Sequence, residues 1–302
     1  MLLRVVGLAK LTPTNDLTDD ELLLRRATMR SSDLWDKNSL QWQKIGPPLR
    51  PCGQDIDFLQ RLIAEKCAAA GCTSPRALLL GVTPEIARMR WPRNTRLLAL
   101  DCHWGMIRNV WPGNRTVGAV AACGDWTKMP VADEACDVVV GDGCFSMLGY
   151  PEGYATVTRE LRRVLQRDGL FAMRAFIRPD KPEPVAVVFD DLRAGRIGNF
   201  HVFKWRLNMA LHGDLTAGVR LADSWNVWNQ AVPEPVALAQ KLDWPIETMR
   251  TIDAYRGDDT RYTYPTLAEL RQALAAHFSP TACTHPAYEL GERCPTLLFA
   301  PR

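Results

Sequence analysis

The segment Arg76-Ala-Leu-Leu-Leu-Gly-Val-Thr-Pro-Glu85 is an apolar run broken by Gly81, and an acid, Asp101, stands twenty residues after that glycine. The pattern predicts a buried strand, a tight turn and the first turn of a helix. A second apolar run, Arg96-Leu-Leu-Ala-Leu-Asp101, ends in the acid itself. These are the parts that hold a nucleoside ribose at the carboxyl edge of a parallel sheet. Glycine lets the backbone approach a ligand, and a carboxylate accepts hydrogen bonds from hydroxyls.

The residues after the glycine restrict which nucleoside fits. A dinucleotide fold needs further glycines and a bare helix N-terminus for its pyrophosphate. Here the turn reads Gly81-Val82-Thr83-Pro84-Glu85, and Glu85 puts a negative charge where phosphates would bind. A cationic, phosphate-free nucleoside suffers no such repulsion, and S-adenosylmethionine is one. A nicotinamide-dependent oxidoreductase is disfavoured on the same grounds.

Further strand patterns follow. Thr116–Cys123 leads to Gly124-Asp125-Trp126, Ala135–Gly143 carries Asp142, and a helical stretch from Tyr154 to Gln166 precedes a fifth strand from Gly169 to Phe176. Short apolar strands alternating with helical stretches argue an α/β fold with a parallel sheet covered on both faces. At this point the chain resembles the class I S-adenosylmethionine-dependent methyltransferases, over residues 76–177. The Leu-Gly-Val-Thr-Pro-Glu turn, the Gly-Asp-Trp step and Glu160-Leu-Arg-Arg-Val-Leu-Gln-Arg-Asp-Gly169 stand in the family's order. The resemblance implies a doubly wound, mostly parallel seven-stranded sheet with one antiparallel C-terminal strand. It also implies S-adenosylmethionine as cofactor. Gly81, Val82 and Thr83 would line its methionine and ribose portion, and Asp101 with Cys102 would sit at the ribose. Met106 would lie against the adenine face, Asp125 and Trp126 would read the adenine edge, and Asp142-Gly143 would floor the sulfonium. The first motif departs from the family's Gly-x-Gly-x-Gly form.

Four segments are expected: an N-terminal helical segment, 1–75; the cofactor-binding core, 76–177; a helical insert, 178–264; and a last helix and hairpin, 265–302. In the first, 17–31 and 54–72 have helical periodicity, with Thr18-Asp-Asp-Glu21 as a capping start. Arg50, in the loop Gly46-Pro-Pro-Leu-Arg-Pro51, is a candidate for a substrate or cofactor carboxylate; the alternative is an arginine tying the loop to a helix end. The insert holds helices at about 184–195 and 200–212 and is far longer than a crossover needs, which predicts a substrate cap. The last helix is expected over 266–278 and the hairpin turn near Gly291.

Displacement at a sulfonium needs alignment more than an elaborate catalytic set. His103, beside the ribose acid, and His201, in the insert, are the catalytic candidates; His201, Trp205 and Arg206 are the substrate-binding candidates, with His212 and Lys204 nearby. Trp225 and Trp228 read as core of the cap, with an aromatic cage as the alternative. Gly141-Asp-Gly-Cys-Phe145 is not the Asn/Asp-Pro-Pro-Tyr/Phe motif of base methylation, and no Asp-x-x-Asp-Asn metal set occurs. With the resemblance, these absences point to a metal-independent O- or N-methyltransferase acting on a small molecule. A protein or RNA acceptor, or a non-catalytic S-adenosylmethionine-binding regulator, is the alternative. A net charge of +3 gives nucleic acid no electrostatic footing. The arginines 159, 162 and 163 read as a solvated helix face. Nine cysteines without a Cys-x-x-Cys pair, several in apolar runs (Cys123, Cys136, Cys144), read as buried free thiols. Met1–Lys10 is too short and too interrupted for a signal peptide, and no run is long enough to span a membrane; a cytoplasmic protein is expected.

Overall fold

The computed structural model describes residues 34–113 and 118–302. The helix at 17–31 and its Thr18–Glu21 cap therefore lie outside the described residues, as do positions 116 and 117 of the third strand pattern.

Helix α1 covers residues 34–40 and α2 Gly53–Ala69. The core then runs β1 (Arg76–Leu80), α3 (Pro84–Ala87), β2 (Arg96–Asp101), α4 (Trp104–Asn109), β3 (Ala119–Cys123), β4 (Cys136–Asp142), α5 (Glu152–Val164) and β5 (Leu165–Arg174). Next come α6 (Val185–Arg193), α7 (Phe200–Leu211), β6 (Val219–Arg220), α8 (Leu221–Ala231), α9 (Pro235–Leu242), α10 (Ile246–Met249) and β7 (Arg261–Tyr262). The chain closes with α11 (Leu267–Leu274), β8 (Phe278–Thr284) and β9 (Thr296–Pro301).

The seven-stranded sheet has the order β3-β2-β1-β4-β5-β9-β8. All neighbours run parallel except β9, which lies antiparallel between β5 and β8. The expected fold class is found. Strand alternation explains why the runs are apolar throughout. Ala77 and Leu79 pack with Leu59 and Ile63 of α2 on one face; Leu78 and Leu80 pack with Val157 and Leu161 of α5 on the other. A strand buried on both faces has no polar side. The strand order turns outward from β1 and β4, so their carboxyl ends open the crevice where ligands settle in such sheets.

Some boundaries differ from expectation. Leu165 and Gln166 belong to β5, not to the helix before it. The last helix ends at Leu274 and Phe278 opens β8, because the buried Phe278 ring packs on Phe171 and Phe299 rather than extending a helical face. The hairpin connection spans residues 285–295, with a 3₁₀ turn at Gly291–Arg293. Arg163 is not simply solvated: it binds Glu160, Asp133 and the carbonyls of Met129 and Val131, stitching α5 to the preceding loop. Cys123 is exposed, being on the edge strand β3, whereas Cys136 and Cys144 are buried. Helix α11 starts with a reciprocal cap, Thr266 accepting from the Glu269 N–H and Glu269 from the Thr266 N–H. Thr266→Ala should therefore cost about 1 kcal/mol, read as a lowered denaturant midpoint with unchanged slope.

Residues 185–255 gather around a second core, made of side chains such as Phe189, Phe200, Phe203 and Trp228, with Leu34 of α1 packed into it. This layer is tied back to the sheet. The Thr263 N–H donates to the Ser146 carbonyl at 2.8 Å, and the Thr263 hydroxyl meets that of Tyr154 at 3.0 Å.

Candidate functional site

At the end of β1 the backbone turns at Gly81, whose φ of +90° belongs to the region that favours glycine. A Cβ there would point at Asp101 Oδ2 and the Trp126 ring, each 3.9 Å away. The site's first acid and its third loop thus meet at the glycine. Asp101, at the end of β2, is buried, and its Oδ1 accepts the His103 N–H at 2.8 Å. Asp125, after β3, caps a short 3₁₀ turn by accepting the Thr127 N–H at 2.8 Å. The neighbouring Trp126 donates its indole N–H to the Leu100 carbonyl at 2.7 Å, which fixes the ring beside β2. After β4 the chain turns at Gly143 (φ +61°), where a Cβ would stand 2.3 Å from the Phe176 ring. Glycine is required there both by conformation and by space.

These turns open on one cavity of ≈ 240 Å³, whose wall includes all ten expected cofactor positions: Gly81, Val82, Thr83, Asp101, Cys102, Met106, Asp125, Trp126, Asp142 and Gly143. The lining also includes Trp35 and Asn38 of α1, Lys204 and Trp205 of α7, and Phe176, Tyr255 and Tyr262. His103 also lines it, its ring 6.0 Å from that of Trp35 and its Nδ1 3.3 Å from Asp101 Oδ1.

Two candidates from the insert are not brought to the cavity. His201 is buried, with its ring Nε2 3.0 Å from the Lys44 carbonyl; that contact requires Nε2 to carry the proton. Burial, aided by the Lys204 charge, lowers its pKa to about 3, so it stays neutral. Arg206 is held by Glu183 and Asp191, and Arg293 joins the same carboxylate of Glu183. Trp205 does line the cavity, and Lys204 takes the place expected for the other two. His212 accepts the Tyr264 N–H at 3.0 Å; Trp228 is core, and Trp225 carries Arg256 over its ring.

Arg50 follows the bland alternative. Its guanidinium pairs with Glu85 in the first turn of α3 and donates to the carbonyls of Trp42 and Ile45. That corrects the electrostatic reading of the turn as well. Glu85 is neutralised, so the missing glycines, rather than a free negative charge, make this turn unsuited to a pyrophosphate.

The residue that sequence reasoning passed over is Arg174. It has no exposure at all, and its Nε donates to Asp142 Oδ1 at 2.6 Å. Its Nη1 reaches both the Pro48 carbonyl at 2.6 Å and the Tyr288 hydroxyl at 3.4 Å, and the guanidinium stacks on Phe176 at 5.0 Å. Tyr288 in turn donates to Asp55, the buried carboxylate capping α2. Burial pushes the Asp142 carboxyl up while the Arg174 charge opposes it. The signal was present as a lone charge ending the apolar run Leu170–Met173, in register with Asp142 on the adjacent strand.

Asp101, Cys102 and His103 place one donor atom each within 4.8 Å of one another, the arrangement a metal ion would need. Loss of water around the sulfur, with the charges of Asp101 and Asp125, pushes the Cys102 thiol up to about 12, although the residue as a whole is exposed. Cys144 has no exposure and its thiol is likewise pushed up to about 12 by burial, which suits a structural role. Among the described residues no helix is long and apolar enough to cross a membrane.

Residues 80–173 match the family model described as a methyltransferase domain. A comparison with curated proteins finds no match. Among solved structures, a Rhodobacter sphaeroides protein named as a candidate Zn-dependent alcohol dehydrogenase superposes with TM-score 0.58 at 11% identity, covering 90% of this chain and 98% of that one. At that identity the likeness is one of fold. The PH0226 protein of Pyrococcus horikoshii OT3 gives TM-score 0.48 at 12% identity, over 87% of this chain and 99% of that one. The Burkholderia thailandensis 1,6-didemethyltoxoflavin-N1-methyltransferase gives 0.47 at 13%, over 96% and 93%. The matched residues run from the end of β1 through β5, the strands whose turns build the cavity, so this chain carries a class I S-adenosylmethionine-dependent methyltransferase domain.

Proposed function

We propose that the enzyme methylates a small molecule held between the sheet's carboxyl edge and the 178–264 insert, without a metal. One observation carries the reading: the turns after β1, β2, β3 and β4 share a cavity whose remaining lining is largely aromatic and comes from α1, α7 and the segment near Tyr255 and Tyr262. The donors fit the cofactor. Asp101 keeps Oδ2 on the side of Gly81, where ribose hydroxyls would be received, and Met106 offers an apolar surface for the adenine. Asp125 would take the adenine amino group, and Asp142-Gly143, held by Arg174, would bound the reacting end. S-adenosylmethionine supplies an electrophilic methyl group with a built-in leaving group.

The remaining work belongs to the chain: align the acceptor, exclude water and, for a hydroxyl acceptor, remove a proton. Trp35, Phe176, Trp205, Tyr255 and Tyr262 present flat apolar surface, which suits an aromatic acceptor better than a polymer strand. Asp101 is committed to the ribose, and catalysis is assigned no metal.

Calorimetric titration tests the cofactor half of this assignment. S-adenosylhomocysteine should bind and NAD should not. Asp101→Ala should weaken S-adenosylhomocysteine by about 1.5–3 kcal/mol, the range for hydrogen bonds to a buried charged group. Unchanged affinity in a folded variant would remove Asp101 from the site. For the acceptor half, a screen of metabolite extracts for labelled-methyl transfer should yield a small product; label recovered only on protein or RNA would sink the reading.

A further inference from the structure

We propose that Lys204 takes the proton from an acidic hydroxyl on an aromatic acceptor, which narrows the reaction to methylation of phenol-type oxygen. The inference rests on the small-molecule reading above and specifies it.

The geometry is unusual for a lysine. Lys204 is 3% exposed yet lines the cavity, and its Nζ lies 3.3 Å from the Thr251 hydroxyl and 5.2 Å from the centre of the Tyr255 ring. Lysines are almost never buried without a counter-charge. Here the acids on the elements packed against α7 are occupied elsewhere. Asp190 and Asp191 of α6 bind Arg193, Arg196 and Arg206; Asp223 of α8 binds Arg220; Glu247 of α10 binds Lys44 and Arg250. Asp253, in the turn that carries Tyr255, accepts the Trp225 indole N–H, and Asp258 accepts the Thr260 N–H.

The other titratable neighbours carry no charge at neutral pH. His201 is held neutral, and burial holds Tyr255 and Tyr262 protonated. The cavity's carboxylates, Asp101, Asp125 and Asp142, stand at the strand ends on the cofactor side. Burial alone then lowers the Lys204 pKa to about 7, leaving a free amine in quantity at neutral pH. Such an amine is a usable base, whereas an ordinary lysine is not. The next residue of α7, Trp205, also lines the cavity, and its buried indole N–H has no hydrogen-bond partner among the described residues. A hydroxyl or phenolate oxygen of the acceptor would pair with the Lys204 amine.

In the step itself the acceptor O–H bond breaks and an N–H bond forms on Lys204, leaving the electron pair on oxygen. That pair bonds the methyl carbon supplied by the cofactor as its bond to sulfur breaks, the second pair remaining on sulfur. The proton then passes from Lys204 to water.

The test uses 4-nitrophenol, whose phenolate is coloured and whose phenol is not, on the full chain saturated with S-adenosylhomocysteine. At a pH about one unit below the probe's own pKa, the wild type should bind it as phenolate, seen as a rise in the coloured band. Lys204→Met should lose that rise and bind the probe at least roughly tenfold more weakly. Its S-adenosylhomocysteine affinity should stay within about twofold, which also reports a folded site. Equal probe binding by both proteins, a probe that stays as phenol in the wild type, or no probe binding by a wild type that holds S-adenosylhomocysteine would each overturn the inference. Failure of the wild type to bind S-adenosylhomocysteine would instead strike the proposed function and take this step with it.

Discussion

Replacing Arg174 by methionine should destabilise the protein by about 3–5 kcal/mol at neutral pH, the usual cost of stranding one partner of a buried ion pair. The partner is Asp142, its side chain only 7% exposed, at the cavity floor. Arg174 also satisfies the Pro48 carbonyl, so the loop before α2 loses an anchor in the same change. Denaturant titration reads the loss directly. The double variant Arg174→Met with Asp142→Asn should lose less than the single one, because no bare charge remains inside. The pH dependence supplies a second check. Without arginine, burial raises the Asp142 pKa further in the folded state than in the unfolded one. A raised carboxyl binds its proton more readily when folded, so the single variant should regain stability as pH falls from neutral toward the ordinary carboxylate range. A single variant as stable as the wild type would mean the pair is not buried as described.

Lys204→Met should move stability the other way, raising it by about 2–4 kcal/mol at pH 7. The wild-type amine is lowered from its ordinary 10.5 to about 7 by burial. A depressed pKa means the unfolded chain binds the proton more readily across that window. Wild-type stability should therefore be fully present above about 10.5 and decline as pH falls toward about 7. Methionine fills a similar volume without the charge and should flatten that slope. Thermal melts of both proteins across the window decide it. Parallel curves for the two would show that Lys204 is solvated, and would weaken its assignment as a base. A buried, unpaired lysine that lowers stability is the kind of residue retained for function.

The turns that build the site were legible because each is a short-range event. An apolar run long enough for one strand, a glycine, and an acid where the next run stops are all written within a few residues of one another. Gly81, Asp101, Asp125 and Gly143 therefore line one cavity, and the parallel sheet followed from the alternation of strands with helices. The sequence also carried the helices near 184–195 and 200–212, since periodicity is local too.

Side-chain partnership across long separations was decided only by the tertiary structure. Arg50 meets Glu85 because the 46–50 loop folds against the first turn of α3, and Arg174 meets Asp142 because β5 pairs in register beside β4; no local pattern announces either approach. The same holds within α7. Every residue from Phe200 to Trp205 is buried, polar ones included, so the helix has no wet face from which its orientation could be read. His201, Lys204 and Arg206 looked equivalent as polar residues on one helix. Docking sent the first to the Lys44 carbonyl, the third to Glu183 and Asp191, and the second to the cavity. Burial then separated their chemistry, because the cost of keeping a charge away from water depends on the neighbours that packing happens to bring.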